Sequence, residues 1–243
     1  MTSTAQRQRF DRVLLKLSGE SFCAKGSFGV DGDELKVIAG EVIDATRVGA
    51  KVAIVVGGGN IIRGARLAEQ GLIHQHTADN MGMLGTVING LALAEALTAM
   101  GVQARCQSAV RMPSICEPYM RPKALRHLEK GRVLVLAGGV GNPYFTTDSG
   151  AALRAIELGC NAMLKATKVD GVYTADPKKD PKATRYTALT YAEALEKRLN
   201  VLDMTALALC RDHKLPTLVF DFDKKGNIAR AVAGEDIGTL VTV

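Results

Sequence analysis

Aromatic side chains make up only 5% of the 243 residues, and the basic residues behind the net charge of +6 are dispersed. A nucleic-acid surface needs stacking platforms and a concentrated cationic stripe, so nucleic acid is not the expected partner. One stretch does gather positive charge, at Arg121, Lys123, Arg126, Lys130 and Arg132. Its spacing is helical and it includes Glu129, which reads as a solvated helix face or a subunit contact. A small polyanionic ligand accounts for the basicity equally well. The chain also lacks any stretch approaching the roughly 18 uncharged residues of a bilayer span, and the amino-terminal MTSTAQRQRFDR has no apolar centre of a signal peptide. The expectation is a cytoplasmic protein with no membrane contact. Cysteine is sparse: Cys23, Cys106, Cys116, Cys160 and Cys210 are odd in number, far apart and never in a C-x-x-C pair. That pattern argues against a disulfide framework or a zinc site and for reduced packing residues. Repeats, low-complexity tracts and linkers are absent too, and 47% hydrophobic content is enough for a full core, so residues 1–243 are expected to form one domain.

What is present is an alternation of strand and helix patterns. Apolar runs of strand length occur at Val13–Leu17, Val52–Val56, Val133–Ala137, Ala162–Ala166, Thr217–Asp221 and Thr239–Val243. Helical periodicity is read at Asp33–Val48, Asp148–Leu158, Tyr191–Arg198 and Met204–Lys214, the first two stopping before Gly49 and Gly159. Short strands separated by helices predict a mainly parallel sheet with helices on both faces, an α/β fold. Thr77–Met100 stands apart, because between Asp79 and Glu95 it carries no charge and its apolar residues surround the helix. Such a helix is expected to be buried on two sides, often in an oligomer contact. Thr174 to Ala188 is polar and twice broken by proline, so an ordered surface loop is expected there.

Three strand ends converge on one chemistry. LLKLSGES places Lys16 and then Ser18-Gly19 after the first strand, and VVGGGNIIRG places Gly57-Gly58-Gly59 after the second, with Asn60 read as a helix cap and Arg63 one turn in. VLVLAGGVGNPYFTTDSG follows an apolar run with glycine at 138, 139 and 141, then Thr146, Thr147 and Asp148 before a helix. In open parallel sheets, ligands bind beyond the carboxyl ends of the strands, where bare backbone N–H groups and helix starts face an anion. Glycine suits such a loop because a Cβ would hold the backbone off phosphate oxygens, and positive φ turns successive N–H groups into a concave nest. Two common phosphate-binding architectures are excluded. The G-x-G-x-x-G fingerprint fails at Ile62 and at Tyr144, and no Gly-Lys pair exists to make a P-loop.

KLSGES, GGGNIIRG, ADNMGML, GNPYFTTDS, KATKVDGVYTADP and CRDHKLP, in that order over nearly the whole chain, resemble the bacterial uridylate kinases of the amino-acid kinase superfamily. GNPYFTTDSGAALRAIELG is similar to that family and not to its acetylglutamate, carbamate or aspartate kinase relatives. The resemblance implies a three-layer α/β/α sandwich, transfer of the ATP γ-phosphoryl group to UMP, dependence on Mg2+ held mainly by ATP phosphates, and a homohexamer.

It also implies roles for individual residues, and these agree with the physical reading. Lys16 would neutralise charge on the transferring phosphoryl, with Leu17, Ser18 and Gly19 holding ATP phosphates. Gly58 would approach UMP and Gly59 the ATP phosphates, while Arg63 would bridge donor and acceptor through its planar fork. Val140, Gly141, Asn142, Pro143, Tyr144, Phe145, Thr146 and Thr147 would close over UMP, the two threonine hydroxyls and helix N–H groups receiving its phosphate. Asp148 would orient Lys16, a plain N-cap being its alternative role. Thr167, Tyr173 and Asp176 would face the adenine and ribose of ATP, placed by an Asp170-Gly171 turn, and Lys165 is a candidate second positive charge. Asp79 would accept from the ribose hydroxyls of UMP, its alternative being a helix cap. For GTP or UTP effectors the resemblance points to Ala24, Lys25, Gly26, Ser27, Phe28 and Gly29 with Arg105 and Arg132. No protein residue is assigned to metal, and His74 and His76, facing apart if helical, are given no role.

Overall fold

The computed structural model describes residues 9–63, 68–69, 71–177 and 179–243. Residues 1–8 of the amino-terminal stretch, Gly64 at the end of GGGNIIRG and Lys178 in the proline-broken loop lie outside them. The first half carries β1 (Arg12–Leu17), a 3-10 turn (Gly19–Phe22), α1 (Gly32–Arg47), β2 (Lys51–Val56), α2 (Gln75–Ala99), β3 (Ala104–Ser108) and β4 (Glu117–Pro118). Then come α3 (Arg121–Glu129), β5 (Val133–Ala137), α4 (Thr147–Glu157), β6 (Ala162–Thr167) and β7 (Ala188–Thr190). The chain finishes with α5 (Tyr191–Glu196), α6 (Met204–Asp212), β8 (Thr217–Asp221), α7 (Asn227–Val232) and β9 (Thr239–Thr242).

The strands form one nine-stranded sheet in the order β4-β3-β5-β2-β1-β6-β8-β9-β7. Every pairing is parallel except β8 with β9, so β9 and its parallel partner β7 run against the other seven. Strand alternation then makes two cores. Val13, Leu15 and Leu17 of β1, with Val52, Ile54 and Val56 of β2, pack on α1, α2 and α7. Leu14, Ala53 and Val55 point the other way, into the layer of α3, α4, α5 and α6. This is the expected three-layer α/β/α sandwich. Complete burial of Leu14, Leu15 and Leu17 contributes roughly 1.5–3 kcal/mol for each side chain, which makes β1 a central support. Lys16 shares the face of Leu14, and the strand period thereby aims it at α4.

Some sequence expectations change. β3 (ARCQS) and β7 escaped the apolar search because one is half polar and the other lies at the end of the expected loop. The described part of that loop carries an antiparallel Tyr173–Arg185 bridge at its base, with Thr174 N donating to Thr184 O at 3.0 Å. α2 is long and apolar enough to cross a membrane by length and composition, contrary to the sequence reading. It nevertheless packs along β3, β5 and α1, with Leu93 and Leu97 fully buried in the sandwich. The five cysteines are all free and buried, as expected.

Candidate active site

The carboxyl ends of β1, β2 and β5 surround a cleft of about 310 Å³. Its walls include Lys16, Ser18, Gly19, Gly58, Gly59, Asp79, Asn142, Phe145, Thr146 and Thr147, so residues scattered over 130 positions of sequence meet in one place. The loops themselves are packed backbone to backbone. A Cβ on Gly19 would lie 2.5 Å from Gly59 N, and one on Gly57 would lie 2.7 Å from Gly19 N. Gly57, Gly58 and Gly59 do not adopt positive φ, whereas Gly138, Gly139 and Gly141 do. The nest conformation expected at both loops is therefore confined to the β5 loop. Close approach is what requires glycine at Gly57 and Gly58, whereas a Cβ on Gly59 would meet nothing within 4 Å.

Lys16 is held by a carboxylate clamp. Its Nζ lies 3.0 Å from Asp148 Oδ1, and Lys165 Nζ donates to Asp148 Oδ2 at 2.7 Å and to Val201 O at 2.6 Å. Lys16 thus meets Asp148 as a close ion pair on the oxygen that Lys165 does not use. Burial pushes the Asp148 carboxyl up, but Lys16 and Lys165 outweigh it and hold the group below its ordinary value. Asp148 is thus ionised, and Lys165 is a full member of the cluster. The N-cap alternative for Asp148 is overturned: α4 begins at Thr147, and Thr146 is the cap, accepting from Asp148 N at 3.1 Å and Ser149 N at 3.3 Å.

The same contacts alter the expectation for Thr146. Its hydroxyl donates to Asp203, which also accepts from Ser149 Oγ at 2.9 Å and caps α6 through Ala206 N at 2.9 Å. The Thr146 proton is therefore committed to Asp203, while Thr147, first in the helix, also lines the cleft. Asp203 was missed because in sequence it reads as an ordinary cap of α6; only the tertiary fold brings it to α4.

Asp79 is not a cap either. His74 holds the N-cap position, and Asp79, one turn into α2, accepts from Gln75 Nε2 at 2.7 Å and from the backbone N–H of Tyr144 at 2.8 Å. It thereby ties the loop over the cleft to α2 at a residue with φ 70°, a backbone conformation uncommon outside glycine. His74 and His76 do not face apart: their rings stack with centroids 5.9 Å apart. Asn60 caps no helix. Residues 58–62 form a turn closed by Ile62 N to Gly58 O at 3.1 Å, and Asn60 is buried.

The structure does not bring every expected residue into the cleft. Leu17 belongs to the core and offers its carbonyl to Gly57 N at 2.9 Å. Arg63 is exposed and pairs with Glu20 at 2.7 Å. Val140, Gly141, Pro143 and Tyr144 belong to the covering loop without lining the wall. Thr167 ends β6 and its hydroxyl donates to Val169 O at 2.6 Å, while Tyr173 and Asp176 lie on the excursion that follows, where Tyr173 donates to Asp170 at 2.6 Å. Residues 24–29 follow β1 at the carboxyl edge, whereas Arg105 and Arg132 sit at the amino ends of β3 and β5, so one chain does not unite them. Among the described residues no group of three or more His, Cys, Asp or Glu could hold a metal ion. Burial pushes the thiols of Cys106 and Cys160 up to about 12, which removes them as nucleophiles at neutral pH.

Residues 11–221 match the model of the amino acid kinase family. The UMP kinase from Bacillus anthracis is similar with a TM-score of 0.94 at 40% identity, the match covering 97% of each chain. For the UMP kinase from Ureaplasma parvum the values are 0.91 and 36%, covering 97% of this chain and 100% of that one. The uridylate kinase from Archaeoglobus fulgidus gives 0.72 and 26%, covering 95% and 99%.

Proposed function

The chain belongs to the amino acid kinase family, and from that premise we propose that it is a UMP kinase, transferring the ATP γ-phosphoryl group to UMP to give UDP and ADP. The observation that carries this reading is the lysine clamp behind a glycine-walled cleft: two ammonium groups set by one carboxylate, Lys16 reaching the cleft beside bare backbone from three strand ends. Phosphoryl transfer asks for positioning and charge neutralisation, and little covalent work, so a site without a nucleophile suits direct in-line displacement. The likeness to two UMP kinases at 36–40% identity over nearly the whole chain supports UMP as acceptor.

In this reading Lys16 stabilises the transferring group, and Lys165 and Asp148 hold it in place. Ser18, Gly19 and Gly59 receive the ATP phosphates, while Gly58, Asp79, Asn142, Phe145 and Thr147 surround UMP. Arg63 bridges donor and acceptor after leaving Glu20; an exposed pair of this kind is worth no more than about 1 kcal/mol, which a phosphate readily outbids. Thr167, Tyr173 and Asp176 meet the base and ribose of ATP. Asp148 is already neutralised by two lysines and no other carboxylate set converges there among the described residues, so the residues suit an ion that arrives on the ATP phosphates. Mg2+ so carried would supply charge neutralisation on the phosphate oxygens.

The chain is read as one catalytic domain in the cytoplasm, assembled as a homohexamer, with GTP or UTP as effectors. Leu84 and Ile88, one turn apart on α2 and about half exposed, support an interface on that helix. A stable, active monomer by light scattering would remove it. The functional test is ADP release coupled to a panel of acceptors: UMP, CMP, dTMP, acetylglutamate and carbamate. UMP should lead, and preference for a simple acid would replace this reading with that of another kinase in the family.

A further inference from the structure

Two asparagines join the loops around the cleft. Asn60 is 3% exposed and Asn89, halfway along the apolar α2, is fully buried. Asn60 Nδ2 donates to Asn89 Oδ1 at 3.0 Å, and Asn89 Nδ2 donates back to Asn60 Oδ1 at 2.6 Å. The remaining N–H of each amide leaves the pair in a different direction, Asn60 to Gly29 O at 2.6 Å and Asn89 to Gly57 O at 2.7 Å. All four side-chain N–H groups and both oxygens are thus used. Only a primary amide offers two donors and an acceptor on one short planar frame, so neither aspartate nor leucine could replace either residue without orphaning a buried group.

The four bonds tie together three segments that the sequence separates. Gly57 opens the β2 loop, Gly29 closes the segment 24–29, and Asn89 belongs to the helix floor. Gly29 N also donates to Asn60 O at 2.8 Å, and a Cβ on Gly19 would fall 2.7 Å from Asn60 Oδ1, so the β1 loop rests on the same amide. A buried pair of amides is costly unless satisfied, and here its satisfaction fixes where the cleft-lining backbone sits.

We propose that Asn60 and Asn89 form a positioning pair that sets the β2 glycine loop against α2 and couples its position to residues 24–29. What the loop holds rests on the kinase reading; the coupling does not. The test is hydrogen exchange on the full chain and on Asn89→Ala. Exchange in residues 57–62 and 24–31 should rise together by about tenfold or more, with β5 unchanged. Independent behaviour of the two segments, or protection equal to that of the unaltered chain, overturns the proposal. If Asn89→Ala does not fold, Asn60→Ala, outside the helix, must loosen the same two segments. The kinetic readout is kcat/KM for ATP per folded molecule, expected to fall about tenfold. A lowered Tm with unchanged kcat/KM would leave the pair a purely structural role and overturn positioning. Joint loosening in a chain that, unaltered, never turns over UMP supports the pair and defeats the kinase reading alone.

Discussion

Lys16 and Lys165 are direct register partners on the adjacent parallel strands β1 and β6, and both reach the carboxylate of Asp148. Two ammonium groups side by side, each side chain only 13–15% exposed, persist because one anion lies against both. Asp148→Asn keeps the shape and removes the charge. It should lower stability by about 3–5 kcal/mol, the scale of breaking a buried ion pair, and should cut kcat because Lys16 loses its orientation. Thermal melts and steady-state rates on the same preparation check both, and a variant with unchanged kcat would remove Asp148 from the machinery.

Lys16→Met should lower kcat by roughly 10²-fold or more while leaving UMP binding nearly intact, since the charge it meets grows mainly in the transition state. Near-normal kcat would show that Lys165 alone suffices.

Asp79→Asn retains an oxygen for the Tyr144 N–H and loses the charge offered to ribose hydroxyls. The UMP KM should rise about tenfold, roughly 1.4 kcal/mol, with the ATP KM unchanged. Preference for UMP over its 2′-deoxy analogue should narrow as well. An equal rise in both KM values would instead mark Asp79 as a latch for the covering loop.

Glu117 lies at the other end of the pH scale of effects. Burial pushes its carboxyl up, but donors from Gln107, His127 and Lys123 at 3.0–3.1 Å prevail and hold it at about 2, below the ordinary 4.5. A carboxylate depressed in the folded state stabilises above its ordinary pKa and loses that contribution as pH falls through its folded pKa. The stability gap between the unaltered chain and Glu117→Gln should therefore be full above about pH 4.5 and close toward about pH 2. Denaturant melts across that range read it directly, and a constant gap would mean that the carboxylate charge contributes nothing.

The central strands were legible because burial on both faces leaves near-continuous apolar runs, and Lys16 and Lys165 stood out as the charges inside two of them. β3 could not be read, since Arg105 and Gln107 break its pattern and its place beside β5 depends on pairing. Local signals placed the glycine loops correctly but gave the wrong reason for Gly57, whose constraint comes from the Gly19 backbone. Asp203 and Asn89 were invisible for one physical cause: each looks locally ordinary, a cap in one case and a stray amide in the other, and acquires its partner only through tertiary contact.

Phosphorus NMR of the full chain with ATP, Mg2+ and UMP tests the central claim most directly. UDP should appear with ADP one for one, only when UMP is present, and Lys16→Met should slow both signals together. ADP formation at the same rate without UMP, or with no UDP signal, would contradict it.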